Sequence, residues 1–233
     1  MELTMFFIDP NYFWYVFIPT LLISGGVQLY LKSTFNKWGG VRNSSGINGM
    51  QVGQQLFNRT SLNPIPLQRT PGALSDHFDP GANVVRLSDP IATKPTVAAM
   101  AVTAHELGHV QQYQTGSALI KARSFLLPAL QFSPTLSYMA IFLGLVFNMA
   151  NLVWIGIFFF GLMVLFSILT LPVEFDASRR GLKLLQEANL LQSDTDRQGA
   201  RQLLTAAGMT YVAAAVTSIL QLLYYISIAR RNS

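Results

Sequence analysis

Residues 124–173 read SFLLPALQFSPTLSYMAIFLGLVFNMANLVWIGIFFFGLMVLFSILTLPV, 50 consecutive positions without an aspartate, glutamate, lysine or arginine. As one helix, at about 1.5 Å per residue, the run would be a rod of roughly 75 Å, more than twice a hydrocarbon core of about 30 Å. It must therefore fold back, and Asn148-Met149-Ala150-Asn151 is the polar interruption where it can turn. Two further charge-free runs flank it, 22 positions between Asp9 and Lys32 and 28 between Arg201 and Arg230. Each is long enough to cross lipid. The sequence thus predicts a mainly α, polytopic helical membrane protein with about four spans, at 12–31, 124–147, 151–172 and 203–229.

Composition agrees with this reading: 51% of the 233 residues are hydrophobic and 12% charged, against about 25% charged in a soluble domain. Basic residues follow the first apolar stretch rather than precede it, which suits a retained anchor better than a cleaved signal peptide. Kinks are expected at Pro19, Gly25-Gly26, Pro128 and Pro134. Trp14, Tyr15 and Trp154 read as interface or bundle contacts. With four crossings, 32–123 and 173–202 share one side and hold fourteen of the sixteen lysines and arginines. The positive-inside rule puts that side in the cytoplasm. The net charge of +5 is then a consequence of topology, and no basic motif or aromatic platform supports a nucleic-acid partner. Cysteine is absent, so neither a disulfide nor a thiolate ligand is available.

The expected organisation is an N-terminal anchor over 1–31, a small α+β cytoplasmic segment over 32–123, two spans over 124–172, a cytoplasmic helix over 173–202, and a last span with its tail over 203–233. Within the first cytoplasmic segment, 33–47 reads as a Ser/Gly/Asn-rich linker and 49–59 as a short helix. Residues 64–69 suit a proline-limited edge strand, and 83–88, after the turn Asp79-Pro80-Gly81, suit a better one. A helix follows over about 96–114, alanine-rich enough to be buried nearly all round, with Gly116 as its stop.

That helix carries Thr103-Ala104-His105-Glu106-Leu107-Gly108-His109, which places two of the chain's three histidines and one of its four glutamates within five positions. Residues four apart stack on one helical face, with β-carbons about 5–6 Å apart, so His105 and His109 can reach one ion. Glu106 is offset by one position. It is poorly placed to share the coordination site but well placed to take a proton from a water beside the ion. A catalytic zinc site needs a third protein ligand. Glu2 lies on the wrong side in this topology, which leaves Glu174, Glu187 and several aspartates. Glu174 is the strongest: it is the first charge after the 50-residue run, and two crossings return it to the side of His109. Glu187, thirteen residues further along a predicted helix, faces elsewhere. His77, in Ser75-Asp76-His77-Phe78-Asp79-Pro80, reads either as a loop-ordering residue or as a donor to an oxyanion near the metal.

Four segments, Lys32-Ser33-Thr34-Phe35-Asn36-Lys37, Asp76-His77-Phe78-Asp79-Pro80, Ala104 to His109, and Leu171-Pro172-Val173-Glu174-Phe175-Asp176-Ala177-Ser178, resemble the bacterial YugP-like membrane zinc metallopeptidases over nearly the whole chain. The resemblance implies a neutral zinc peptidase of the bacterial cell membrane with a gluzincin-like arrangement: His105, His109 and Glu174 as ligands of one zinc ion, and Glu106 as general base. Related HtpX-type membrane proteases place an aspartate four residues after the ligand glutamate to orient a histidine. Here Ser178 occupies that position, a weaker imidazole partner.

The expected function is hydrolysis of a peptide or membrane-protein substrate at the cytoplasmic surface of the bilayer by a zinc-activated water, with the strand at 83–88 acting as an edge on which extended substrate could pair. A non-catalytic, metal-stabilised scaffold is the alternative. It has no use for Glu106 and usually closes its metal with four protein ligands. A metal transporter would carry ionisable residues inside its spans, and these runs have none.

Overall fold

The computed structural model describes residues 9–231. In chain order its elements are α1 (Pro10–Gly39), α2 (Gly49–Arg59), β1 (Leu67–Thr70), β2 (His77–Asp79), β3 (Val84–Ser88), α3 (Asp89–Thr93), α4 (Val97–Gln114), α5 (Ala118–Val146), α6 (Ala150–Glu187) and α7 (Asp194–Arg231). The chain is mainly helical, and α1, α5, α6 and α7 are long and apolar enough to cross a membrane. Two compact units result: Met1–Gln28, Lys121–Leu171 and Thr210–Ser233 form one, Leu29–Ile120 and Pro172–Met209 the other.

The first unit is built from the apolar helices. The turn between α5 and α6 falls at the polar interruption, with Asn148 in the left-handed region at φ 54°. Close approach follows from small residues: a β-carbon on Gly144 would lie 2.7 Å from the backbone nitrogen of Val153, and one on Gly156 would lie 2.8 Å from that of Ile141. Where neighbouring helices compete only with lipid tails, such contact is a principal source of association. Large apolar side chains, among them Trp14, Phe125, Phe132 and Phe158, are exposed.

The second unit holds most of the charged residues. Its core joins Val52 and Leu56 of α2, Val85 and Leu87 of β3, most of the first half of α4, and Leu184, Leu185 and Leu203 from α6 and α7. Asn48 and Gln51 form a capping box that starts α2. The Thr96 hydroxyl accepts from Ala99 N at 3.1 Å and starts α4. The three strands lie in the order β1-β3-β2. β1 runs parallel to β3, with Leu67 opposite Val85, and β2 runs antiparallel, with His77 opposite Arg86. Asp79 closes the β2–β3 turn by accepting from Gly81 N and Ala82 N, each at 3.0 Å.

Four sequence expectations change. β3 is the central strand, paired on both sides, so it offers no edge to a substrate; the free edges belong to β1 and β2. Residues 33–39 are not linker but the end of α1, because Trp38 is buried there and donates to Gln202 Oε1 at 2.9 Å. Residues 77–79, where the sequence predicts no strand and a turn only from Asp79 on, form a strand. The helix expected over 173–202 is interrupted: α6 ends at Glu187, Asn189 takes φ 56°, and α7 begins at Asp194.

Candidate metal centre

α4 starts as a buried alanine-rich helix. Val97, Ala98, Ala99, Met100, Ala101 and Ala104 have no exposed surface, and high helix propensity with small bulk lets other elements pack around it. Its second half meets α6. A β-carbon on Gly181 would lie 2.6 Å from the carbonyl oxygen of Ala104 and 3.0 Å from the nitrogen of His105, and one on Gly108 would overlap the carbonyl oxygen of Ala177. The two backbones therefore touch, and glycine is the residue that permits it. Glu174 is one helical turn before Ala177 and Ser178, and the crossing carries it to the histidines.

His105 and His109 stand with ring centroids 4.8 Å apart and planes at 82°. Nε2 of each lies 3.4 Å from Oε2 of Glu174. The three donor atoms lie within 4.8 Å of one another, the one group of three or more potential ligands among the described residues. Zinc held tetrahedrally at about 2.0–2.2 Å from nitrogen and oxygen separates its ligand atoms by roughly 3.3–3.5 Å. The two 3.4 Å spacings fit that geometry, and two imidazoles with one carboxylate are the donor set of an open, catalytic zinc site rather than a closed structural one.

The far nitrogen of each ring is also engaged. His105 Nδ1 lies 3.1 Å from Ser178 Oγ, so the serine engages the ring nitrogen that faces away from Glu174. His109 Nδ1 lies 3.0 Å from Oε1 of Gln112. Burial alone would push the His109 imidazole below its ordinary range, but the hydrogen bond with Glu174 and the charges of Glu106 and Glu174 outweigh it and hold it above that range. Glu106 is 8% exposed and accepts from the backbone N–H of Phe78 at 2.9 Å. Asp76, which accepts from Ser88 N at 2.7 Å and Ser88 Oγ at 2.9 Å, is raised by burial first, with the charge of Glu106 adding to it. Carboxylates thus gather around the imidazole pair, a surrounding that a divalent cation offsets.

His77 is not a member of the donor group. Its Nδ1 faces the carbonyl of Ser75 at 2.8 Å and its Nε2 faces Arg86 at 3.5 Å, while Arg86 pairs with Asp79 at 2.7 Å. These contacts join His77 to the β2–β3 hairpin. Glu187 pairs with Lys183 at 3.6 Å. Gln112 and the Phe78 N–H are the two participants that sequence reasoning did not single out. The first was visible in principle, since a residue three after His109 shares its helical face; a backbone donor leaves no trace in side-chain patterns.

The profile of the family described as "Putative neutral zinc metallopeptidase" matches residues 13–230. A relative from Bacillus subtilis (strain 168), described as "Putative membrane protease YugP", is 32% identical over 216 residues, covering 93% of this chain and 96% of the relative. No solved structure matches the chain.

Proposed function

Because the chain belongs to this neutral zinc metallopeptidase family, we propose that it is a membrane-embedded zinc metallopeptidase that hydrolyses peptide bonds at the cytoplasmic face of a bacterial cell membrane. The observation that carries this reading is the convergence of His105, His109 and Glu174 at zinc-like spacing, with the Glu106 carboxylate near enough for its charge to act on His109. A bound zinc would acidify a water and polarise the scissile carbonyl. Glu106 takes the water's proton and delivers it to the departing amine. Phe78 N–H orients that carboxylate. Substrate in extended form pairs with the sheet edge nearest Glu106, which is β2.

The substrate class follows from where Glu174 stands. It is one residue past the 50-residue apolar run and on the same continuous helix, which favours peptide segments at or near the membrane surface. The scaffold reading is the weaker, since the donor group has three protein ligands and not the four of a structural site.

The purified protein is expected to hold about one zinc per chain, and Glu174→Ala to hold much less. Unchanged zinc content in that variant would move the third ligand elsewhere. Topology has a separate check, helped by the absence of native cysteine. In intact cells an impermeant maleimide is expected to label N148C and to spare S75C until the membrane is opened. Labelling of S75C from outside would reverse the orientation.

A further inference from the structure

We propose that Gln112 is the positioning residue of the metal centre: it fixes which nitrogen of His109 carries the proton, and it holds the Glu174 turn of α6 in register with α4. The proposal rests on the metal-binding reading above. Gln112 has no exposed surface, and a buried carboxamide must place two N–H donors and one acceptor. Both donors are assigned, because Nε2 lies 2.8 Å from the carbonyl oxygen of Val173 and 2.8 Å from Oδ2 of Asp176, neither of which can donate when the carboxylate is ionised. A reversed amide would set its oxygen against two oxygens. Oε1 is therefore the atom that faces His109 Nδ1 at 3.0 Å, and an oxygen there requires Nδ1 to be the protonated nitrogen. The lone pair of His109 is left on Nε2, the atom 3.4 Å from Glu174 Oε2.

The amide is itself held. Asp176 accepts from Arg180 Nε at 2.7 Å, and Arg180 Nη1 reaches Gln111 Oε1 on α4 at 3.4 Å. Val173 and Asp176 lie on either side of Glu174 in the chain. One side chain thus bonds a histidine ligand at one end and the turn bearing the carboxylate ligand at the other. Outer partners of this kind set ring orientation, and losing one typically costs about 10–100-fold in metal affinity.

The test uses the full chain in detergent, with chelator competition for zinc affinity, the d–d absorption of the cobalt-substituted protein for ligand geometry, and circular dichroism for the fold. Gln112→Met keeps an unbranched chain of similar size without hydrogen bonds, and it is expected to lower zinc affinity about 10–100-fold and to alter the cobalt spectrum while helix content stays native. The double variant Q112E/D176N restores an acceptor for His109 and a donor at position 176, while its second carboxylate oxygen still meets the Val173 carbonyl, and it is expected to recover part of the lost affinity. A role confined to packing moves neither zinc affinity nor the cobalt spectrum in a folded variant. Wild-type affinity and spectrum in Q112M, or a double variant that binds no more tightly than Q112M, would overturn the proposal. If Q112M does not accumulate as folded protein, Q112E and Q112E/D176N decide: zinc binding at least tenfold tighter in the double variant than in Q112E supports the assignment, and equal affinity in the two overturns it. Wild-type protein that binds neither metal overturns the proposed function as well, whereas tight wild-type binding with an indifferent Q112M overturns only the role of Gln112.

Discussion

Glu106→Gln is expected to keep its zinc and to lose about 10²–10⁴-fold in kcat/KM on any peptide the wild type cleaves. The two halves of that expectation come from different observations. The donor group consists of His105, His109 and Glu174 without Glu106, so replacing the carboxylate with a carboxamide leaves the ligand set whole. The amide oxygen of the variant can still accept from Phe78 N–H, so the bond that now spans 2.9 Å survives. What disappears is the capacity to take and return a proton, because an amide is not a base at neutral pH. Zinc analysis and peptide kinetics on the same preparation check both halves. A variant that cleaves at the wild-type rate would remove Glu106 from the reaction, and one that loses its zinc would make Glu106 part of the metal site.

Legibility of the molecule in its sequence followed the range of the interaction concerned. The charge-free runs read correctly as membrane-length helices because lipid penalises every unpaired charge in the same way, whatever packs beside it. The His105/His109 pair was legible because helical periodicity alone stacks residues four apart. Glu174 could be nominated from charge and crossing number, but its distance to the histidines depends on Gly108 and Gly181 meeting backbone on the opposite helix, and neither glycine announces its partner. The order β1-β3-β2 was beyond reach for a similar reason: strand pairing joins segments by tertiary contact, and a three-residue β2 leaves almost no alternation to detect. The end of α1 looks like a linker in the sequence because Ser33, Asn36, Gly39 and Gly40 favour turns and loops. Burial of Trp38 and its bond to Gln202 override that local preference.

Gly181→Ala is expected to damage the metal centre without touching a ligand. The added carbon would stand 2.6 Å from the carbonyl oxygen of Ala104 and 2.8 Å from its carbon, and these are backbone atoms with no rotamer to yield. α4 and α6 must separate, or one of them must bend. Overpacking of this kind costs about 1–3 kcal/mol; taken up as a separation of Glu174 from the imidazoles, the upper end corresponds to a loss of about 100-fold in zinc affinity, since about 1.4 kcal/mol is tenfold. Gly161→Ala, on the same helix, is the matched control. Its β-carbon meets nothing within 4 Å, and alanine has the higher helix propensity, so zinc affinity is expected to stay at the wild-type value. The comparison separates a general dislike of bulk on α6 from a specific contact at the crossing. Equal zinc affinity in the two variants would mean that the backbone contact between Ala104 and Gly181 does not set the distance from Glu174 to the histidines.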